Sequence, residues 1–157
     1  MLDNNLSIII RNRNEADHIG FALQSCLDFF PNSEVIIADN NSNDESLDIV
    51  NLFKENIDIN ILNIKNYSPG LSINYSVAKS KRKFILILSA HCQIINIDND
   101  TIEKELDQNI ALFGKQIPIY KGKKIEKKFI WSHFSDKRQI NMFSLSEQKY
   151  FLHNAFC

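Results

Sequence analysis

Residues 6 to 91 alternate short, β-branched apolar runs with longer segments in which apolar positions recur every three or four residues. Ser7-Ile8-Ile9-Ile10 has no polar face, the pattern of a strand covered on both sides of a parallel sheet. Asn14 is predicted to open a helix as its N-cap, with Glu15 and Asp17 in the first turn, where carboxylates suit the positive end of the helix dipole. Ala16, Ile19, Ala22, Leu23, Cys26, Leu27 and Phe30 follow at helical spacing until Pro31 ends the run. Residues 34–38 predict a second strand, and a second helix is expected from Asn43 or Asp44, burying Leu47, Val50 and Phe53. Ile57, Ile59 and Ile61 alternate with polar residues, the signature of a half-exposed strand. The loop Asn66-Tyr67-Ser68-Pro69-Gly70 leads into a helix ending in the basic cluster 79–83. Phe84-Ile85-Leu86-Ile87-Leu88 is the most hydrophobic strand and is expected at the centre of the sheet, breaking at Ser89-Ala90-His91-Cys92.

Beyond His91 the pattern loosens. A helix is predicted over 101–107 and a strand within 110–119, interrupted near Gly114; the remainder is basic and aromatic. The alternation β-α-β-α-β-α-β with short loops, joined by right-handed crossovers, implies an α/β fold. Its sheet is open, mostly parallel and Rossmann-like, with helices on both faces. At 157 residues the chain reads as one domain, 1–157, large enough to bury a core without staples.

In such a sheet ligands settle outside the carboxyl ends of the strands. Two polar turns fall there: Arg11-Asn12-Arg13-Asn14-Glu15 after the first strand, and Asp39-Asn40-Asn41-Ser42-Asn43-Asp44 after the second. Together they offer carboxylates, amides and a helix N-terminus to a polar ligand.

Composition acts mainly by exclusion. With 18 basic and 19 acidic residues the net charge is −1, which gives no field to hold a nucleic-acid backbone by counterion release. The three widely spaced cysteines point to a reducing compartment and to neither a disulfide framework nor a zinc site. No stretch approaches the ~20 apolar residues of a membrane helix, and the N-terminus lacks the basic-then-apolar pattern of a signal peptide.

Each candidate side chain has a chemical and a structural reading. Asp39, a lone carboxylate at the end of a buried strand, needs a donor: either it accepts an N–H from a nucleobase, or it tethers the turn that follows. Asn41, Ser42, Asn43 and Asp44 read more readily as a turn and helix cap. Arg11 and Arg13 offer planar donor forks for a phosphate, or pairing with nearby acids. His91, leaving the sheet at the same rim, suits a metal ligand, a phosphate donor, a proton carrier or a structural role. His18 falls on the polar side of its helix and is expected in solvent. Cys92 beside His91 suggests a thiol–imidazole pair, but neighbours in an extended chain point to opposite faces. Lys121, Lys123, Lys124, Lys127 and Lys128, with Phe129 and Trp131, would suit an anionic acceptor or a membrane surface; a solvated basic face is the simpler reading.

These residues resemble a family 2 glycosyltransferase of the GT-A fold. Ser7-Ile8-Ile9-Ile10-Arg11-Asn12-Arg13-Asn14-Glu15 is similar to the family's opening strand, S-I-I-I-P-T-Y-N-E, or S-I-V-I-R-T-Y-N-E in a branch that Arg11 matches. Asp39-Asn40-Asn41-Ser42-Asn43-Asp44 resembles its D-x-G-S-x-D turn, with Asn41 at the glycine, a residue that tolerates a left-handed backbone. Tyr67-Ser68-Pro69-Gly70-Leu71-Ser72-Ile73-Asn74 is similar to the branch's F-S-x-G-R-x-x-N. Leu88-Ser89-Ala90-His91 resembles the L-S-A-H found in some members in place of the D-x-D metal motif, and Gly114-Lys115-Gln116-Ile117-Pro118 resembles G-R-Q-x-P. The matches run in order from about residue 6 to residue 118.

The resemblance implies a nucleotide-sugar donor and a glycan or lipid-linked acceptor. It implies that Glu15 and Asp39 contact the nucleoside, that Arg11, Asn14, Asn41 and Asp44 shape that pocket, and that His91 lies beside the diphosphate. The D-x-D carboxylates of other members bind a divalent cation, Mn or Mg, that neutralises the leaving group. Here Ser89-Ala90-His91 leaves His91 as the one candidate metal ligand, and imidazole suits a softer ion than Mg²⁺; a metal-free alternative has His91 and nearby Arg or Lys stabilise the diphosphate. Leu71 stands where the branch has arginine, removing one phosphate donor. His153-Asn154-Ala155 resembles the segment before the acidic pair that supplies a general base, and the chain stops at Cys157 before any such acid. The chain is therefore expected to be truncated, with the acceptor-binding part largely missing and no catalytic base assigned. The expectation is a donor-binding glycosyltransferase domain in polysaccharide or lipopolysaccharide assembly. It is expected in the cytoplasm, at the inner membrane face by peripheral association, with no nucleic-acid partner and with room for an oligomer; a stable oligomer through the apolar C-terminus would favour the alternative that follows. The alternative is a catalytically degenerate nucleotide-binding or protein-interaction module of the same fold. A receiver domain with Asp39 as phosphoacceptor fits poorly, because Arg11-Asn12-Arg13 supplies the wrong charge. The donor reading requires Glu15, Asp39 and His91 to share one rim of the sheet.

Overall fold

The computed structural model describes residues 2–115 and 117–125, and the strand backbone of 143–144 and 149–150. Lys127, Lys128, Phe129, Trp131 and the segment His153-Asn154-Ala155 lie outside the described residues. The chain divides into two compact units, one running to Glu103 and one from Lys104.

The first unit is a four-stranded parallel sheet in the order β3-β2-β1-β4. Its strands are β1 (Leu6–Asn12), β2 (Glu34–Asp39), β3 (Asp58–Asn63) and β4 (Phe84–Ser89). The apolar runs of β1 and β2 occupy the middle, with Ile8, Ile9, Ile10, Val35, Ile36 and Ile37 fully buried. β3 is half-exposed, as its alternating pattern predicts. β4 corrects the expectation of a central strand: among the described strands it lies at the edge, beside β1, with Phe84 to Ile87 only half-buried. Continuous apolarity reports cover on the two faces of a sheet and is blind to strand order. The crossover from β3 passes back over β2 and β1, so β4 lands on the far side of β1.

Right-handed crossovers place α1 (Ala16–Phe29) and α2 (Ser46–Leu52) together on one face, while α3 (Pro69–Lys79) packs against β1 and β2 on the other. α1 buries Ile19, Ala22, Leu23 and Cys26 against the sheet. A Cβ at Gly20 would lie 3.3 Å from Ile49 Cγ2, so this glycine lets α1 and α2 approach closely. Burial pushes the Cys26 thiol up to about 12, so it acts as a core apolar group and not as a nucleophile. α2 starts at Ser46, two or three residues later than the turn residues suggested, and it buries Val50 and Ser46 while Leu47 and Phe53 are half-buried. α3 begins as its sequence predicts: the Ser68 hydroxyl accepts from the Leu71 amide at 3.2 Å and Pro69 fills the first turn.

One polar residue that the sequence reading passed over sits deep in the fold. Glu34, at the amino end of β2, is fully buried. Ser7 Oγ donates to its Oε2 at 2.6 Å and the Lys81 amide at 2.9 Å, while Lys81 Nζ stands 3.6 Å from Oε1. The carboxylate thus ties β1, β2 and the approach to β4 at the rim opposite the polar turns. Burial pushes its carboxyl up, but the Ser7 hydroxyl and the Lys81 amide and ammonium outweigh this and hold it below the ordinary value.

α4 (Asn99–Leu106) follows, near its predicted place. The strand expected within 110–119 reduces to Ile119–Tyr120 (β5), which pairs antiparallel with Lys123–Lys124 (β6). Lys121 and Gly122 join them with φ of 48° and 72°, the two left-handed residues of a type I′ turn. Residues 111–115, 117 and 118 adopt no regular element, and Ile110 is exposed. A separate antiparallel pair joins β7 (Phe143–Ser144) to β8 (Lys149–Tyr150).

Candidate functional site

The carboxyl ends of β1, β2 and β4 deliver Arg11 and Asn12, Asp39, and Ser89 to one rim. Two asparagines turn the chain there. Asn14 and Asn41 have φ of 54° and 50°, left-handed conformations that asparagine accepts because its short side chain bonds locally. The expectation for Asn41 is met.

Asn14 corrects the predicted helix cap. α1 starts at Ala16, and the preceding Glu15 makes no side-chain cap bond. The Asn14 side chain is engaged elsewhere: its Oδ1 accepts from the Asn43 amide at 2.9 Å. The free amides at the start of α1 are satisfied by the second turn instead. Glu15 N donates to Ser46 Oγ at 2.8 Å, and Ala16 N donates to Asp44 Oδ2 at 3.0 Å. Asp44 also accepts from the Ser46 amide at 3.1 Å and from the Ser46 hydroxyl. These bonds, the Ser46 hydroxyl foremost, hold the Asp44 carboxyl below its usual range. A helix normally capped by its own chain is here capped by a turn some thirty residues away, at separations of 31 and 28.

Ser42 is the hub between the turns. Its hydroxyl donates to Asp39 Oδ1 at 2.6 Å and accepts from Asn12 Nδ2 at 3.1 Å and from the Asn14 amide at 3.0 Å. One donor and two acceptors exhaust a hydroxyl's capacity. Asp39, buried at 2% exposure, also accepts from Asn12 Nδ2 at 2.9 Å and, through Oδ2, from the Ser42 amide at 3.0 Å. It therefore tethers the turn that follows it. A carboxylate offers about four lone-pair sites, so Oδ2 with its single donor retains one for a ligand.

Asn12 was missed by the sequence reading. It is buried, faces Asp39 in the β1–β2 register, and its Oδ1 has no partner. The signal that finds it is the register itself, which no local pattern carries. Ser46 escaped for the same reason.

The turn after β4 contributes His91, whose Nδ1 lies 3.2 Å from Glu15 Oε1; the side chains are 59% and 25% exposed. Arg11 Nη1 donates to the Tyr67 hydroxyl at 3.4 Å, while Arg11 Nε is buried without a partner. Arg13 and His18 are exposed. Glu15, Asp39 and His91 thus share one rim: Glu15 meets His91, and Asp39 reaches Asn14, the neighbour of Glu15, through Ser42. Arg11, Asn41 and Asp44 gather with them.

Among the described residues no three His, Cys, Asp or Glu side chains stand together as a metal site. His91 and Glu15 give one imidazole and one carboxylate, fewer protein ligands than a dedicated divalent site holds.

The sequence profile described as Glycosyl transferase family 2 matches residues 7–155. No curated protein sequence matches the chain significantly. Among solved structures it is similar to Staphylococcus aureus TarS 1–349 in complex with UDP-GlcNAc, with 22% identity, 66% of this chain and 30% of that one covered, and a TM-score of 0.56. The longer S. aureus TarS structure gives 21% identity over 66% of this chain and 20% of that one, at a TM-score of 0.59. The mannosyltransferase PcManGT from Pyrobaculum calidifontis, in complex with GDP-Man and Mn²⁺, gives 17% identity over 65% and 31%, at 0.55. The chain thus spans less than a third of each of these proteins, and the likeness shows a shared GT-A fold. With that profile matched across residues 7–155, nearly the whole chain, the chain belongs to glycosyl transferase family 2.

Proposed function

We propose that this chain is the donor-binding part of an inverting glycosyltransferase, which moves a sugar from a nucleotide diphosphate to a glycan or lipid-linked acceptor in polysaccharide or lipopolysaccharide assembly. The observation that carries this reading is the lacing of two turns around Asp39, beside the Glu15–His91 pair, at the carboxyl rim of the sheet. The UDP-GlcNAc of TarS and the GDP-Man of PcManGT support a nucleotide sugar as the ligand.

The geometry divides the labour. Asp39, positioned by Asn12 and Ser42, accepts an N–H of the base, and Asn14, Asn41 and Asp44 hold the turns that shape the pocket with Glu15. The start of α1 is not the phosphate site, because Ser46 and Asp44 already occupy its first amides. The diphosphate therefore falls to His91, oriented by Glu15, and to the Arg11 fork. In the transfer, the acceptor oxygen bonds to the anomeric carbon as the bond from that carbon to the diphosphate oxygen breaks. The electron pair leaves with the diphosphate, whose charge His91 and Arg11 stabilise. The acceptor proton goes to a base supplied by the acceptor half of the enzyme. A cytoplasmic location at the inner membrane face completes the reading; no helix among the described residues is long and apolar enough to cross a membrane.

Calorimetric titration with UDP, dTDP and GDP tests the proposal. Saturable heat from at least one of them is expected. Silence from all three removes the donor reading and favours a non-catalytic module of the same fold. Where a nucleotide binds, His91→Ala is expected to weaken the diphosphate roughly tenfold or more while leaving the matching nucleoside unchanged, since a hydrogen bond to a charged group contributes about 1.5–3 kcal/mol. Equal loss for nucleoside and diphosphate would take His91 off the phosphates.

A further inference from the structure

Helix α3 leaves several of its large apolar side chains exposed. Ser72 and Ser76 are its buried residues, facing the sheet, while Leu71, Tyr75 and Val77 are 48%, 45% and 41% exposed. At 100° per residue Leu71, Tyr75 and Ala78 fall within one stripe about 60° wide, roughly 110° round the helix from Ser72 and Ser76, and Val77 lies apart from it. The buried hydroxyls bond within the helix, Ser72 Oγ to the Pro69 carbonyl at 2.9 Å and Ser76 Oγ to the Ser72 carbonyl at 2.8 Å. The helix thus buries two small, satisfied side chains, half-buries Ile73 and leaves the stripe of Leu71 and Tyr75 exposed. A surface helix of a globular protein does the reverse.

Charge indicates what covers the stripe. Directly after it, Lys79, Lys81, Arg82 and Lys83 are all exposed, in a chain whose net charge is −1. Lys79 Nζ stands 5.7 Å from the Tyr75 ring centroid and Lys83 Nζ 4.6 Å from that of Phe84, so the lysine stems lie along aromatic surface and the ammonium groups end beyond it. Lys81 is held to Glu34 and Arg82 Nη1 donates to the Asn4 carbonyl at 3.0 Å, which fixes the basic segment in place. An apolar and tyrosine-bearing stripe continuous with a cluster of cations is the chemistry of an interfacial helix on an anionic bilayer.

We propose that the outward face of α3 and the basic segment 79–83 dock this protein on an anionic lipid surface. The helix lies flat, with Leu71 and Tyr75 at acyl-chain depth and Lys79 and Lys83 among the headgroups. The proposal rests on the membrane-face location given under the proposed function and names the surface responsible; its test is independent of donor binding, since it involves no nucleotide.

Co-sedimentation of the full chain with phosphatidylcholine vesicles, with and without phosphatidylglycerol, tests it. Binding to the anionic vesicles alone is expected, weakening as salt is added. Lys79→Glu combined with Lys83→Glu is expected to lower that partition by at least tenfold, since two cations lost near an anionic surface correspond to about thirtyfold and salt screens part of it. Leu71→Ser combined with Tyr75→Ser is expected to keep weak binding at low salt and lose it at moderate salt. Both pairs point outward, so their thermal melting should match the parent and report on docking rather than folding. Three outcomes would overturn the proposal: no partition of the parent chain, equal partition by both variants, or a dimer in sedimentation velocity that Leu71→Ser with Tyr75→Ser dissolves. The last would make a second copy the cover of the stripe.

Discussion

Asp39→Ala is expected to cost about 3–5 kcal/mol of folding stability and to abolish nucleotide binding. The substitution leaves Asn12 Nδ2 and the Ser42 amide and hydroxyl without their acceptor. A buried polar group left unpaired costs about 1–3 kcal/mol, and the sum is less than additive because the Ser42 turn can open to water. For a domain whose total stability is on the order of 5–15 kcal/mol, this is a large fraction. Urea denaturation reads the stability loss as a lowered midpoint at unchanged slope. A loss under about 1 kcal/mol would show that the turn does not hang on Asp39. Asp39→Asn separates tether from ligand: it keeps the shape but presents an N–H₂ where an acceptor is needed. A folded Asp39→Asn chain that binds nucleotide as before would leave Asp39 with the tether alone.

Glu34→Gln is expected to lower stability by about 1–3 kcal/mol near neutral pH, by weakening the bonds from the Lys81 amide and ammonium. Its dependence on pH is more diagnostic than its size. The folded carboxyl titrates below its unfolded value. Its contribution is therefore complete above the ordinary glutamate range and is lost as pH falls through the folded value. Urea midpoints of the parent and Glu34→Gln chains should converge on acidification. Parallel curves down to the acid limit would show that Glu34 is not the group that titrates. Since Glu34 lies at the rim opposite the polar turns, nucleotide affinity at neutral pH should be unchanged in the folded variant.

Much of the fold was legible residue by residue. The unbroken Ser7–Ile10 and Val35–Ala38 stretches specify doubly covered strands, the Ile57-Ile59-Ile61 alternation specifies a half-exposed one, and Ser68-Pro69 specifies the start of α3. The left-handed turn at Asn41 was legible too, because the residue type carries the conformational preference. Glu15, Asp39 and His91 could be assigned to one rim because strand ends in a parallel sheet share an edge. Other features resisted. Asn14 has every local property of an N-cap, yet its oxygen goes to Asn43, and α1 is capped by Asp44 and Ser46. Asn12 and Glu34 are a polar residue ending one apolar strand and another opening the next, and neither has a pattern to mark it. β4 looks central by composition and lies at the edge among the described strands.

The sequence by itself determined which segments are strands and helices and which turns gather at the ligand rim, because periodicity and conformational preference act over a few neighbouring residues. Only the tertiary structure decided who bonds to whom: Ser42 with Asn12 and Asn14, Asp44 with Ala16, Glu34 with Ser7 and Lys81, and the outward turn of Leu71 and Tyr75. Those choices depend on strand order, register and the packing angle of a helix, which are set by the whole sheet and reach across some thirty residues or more of chain.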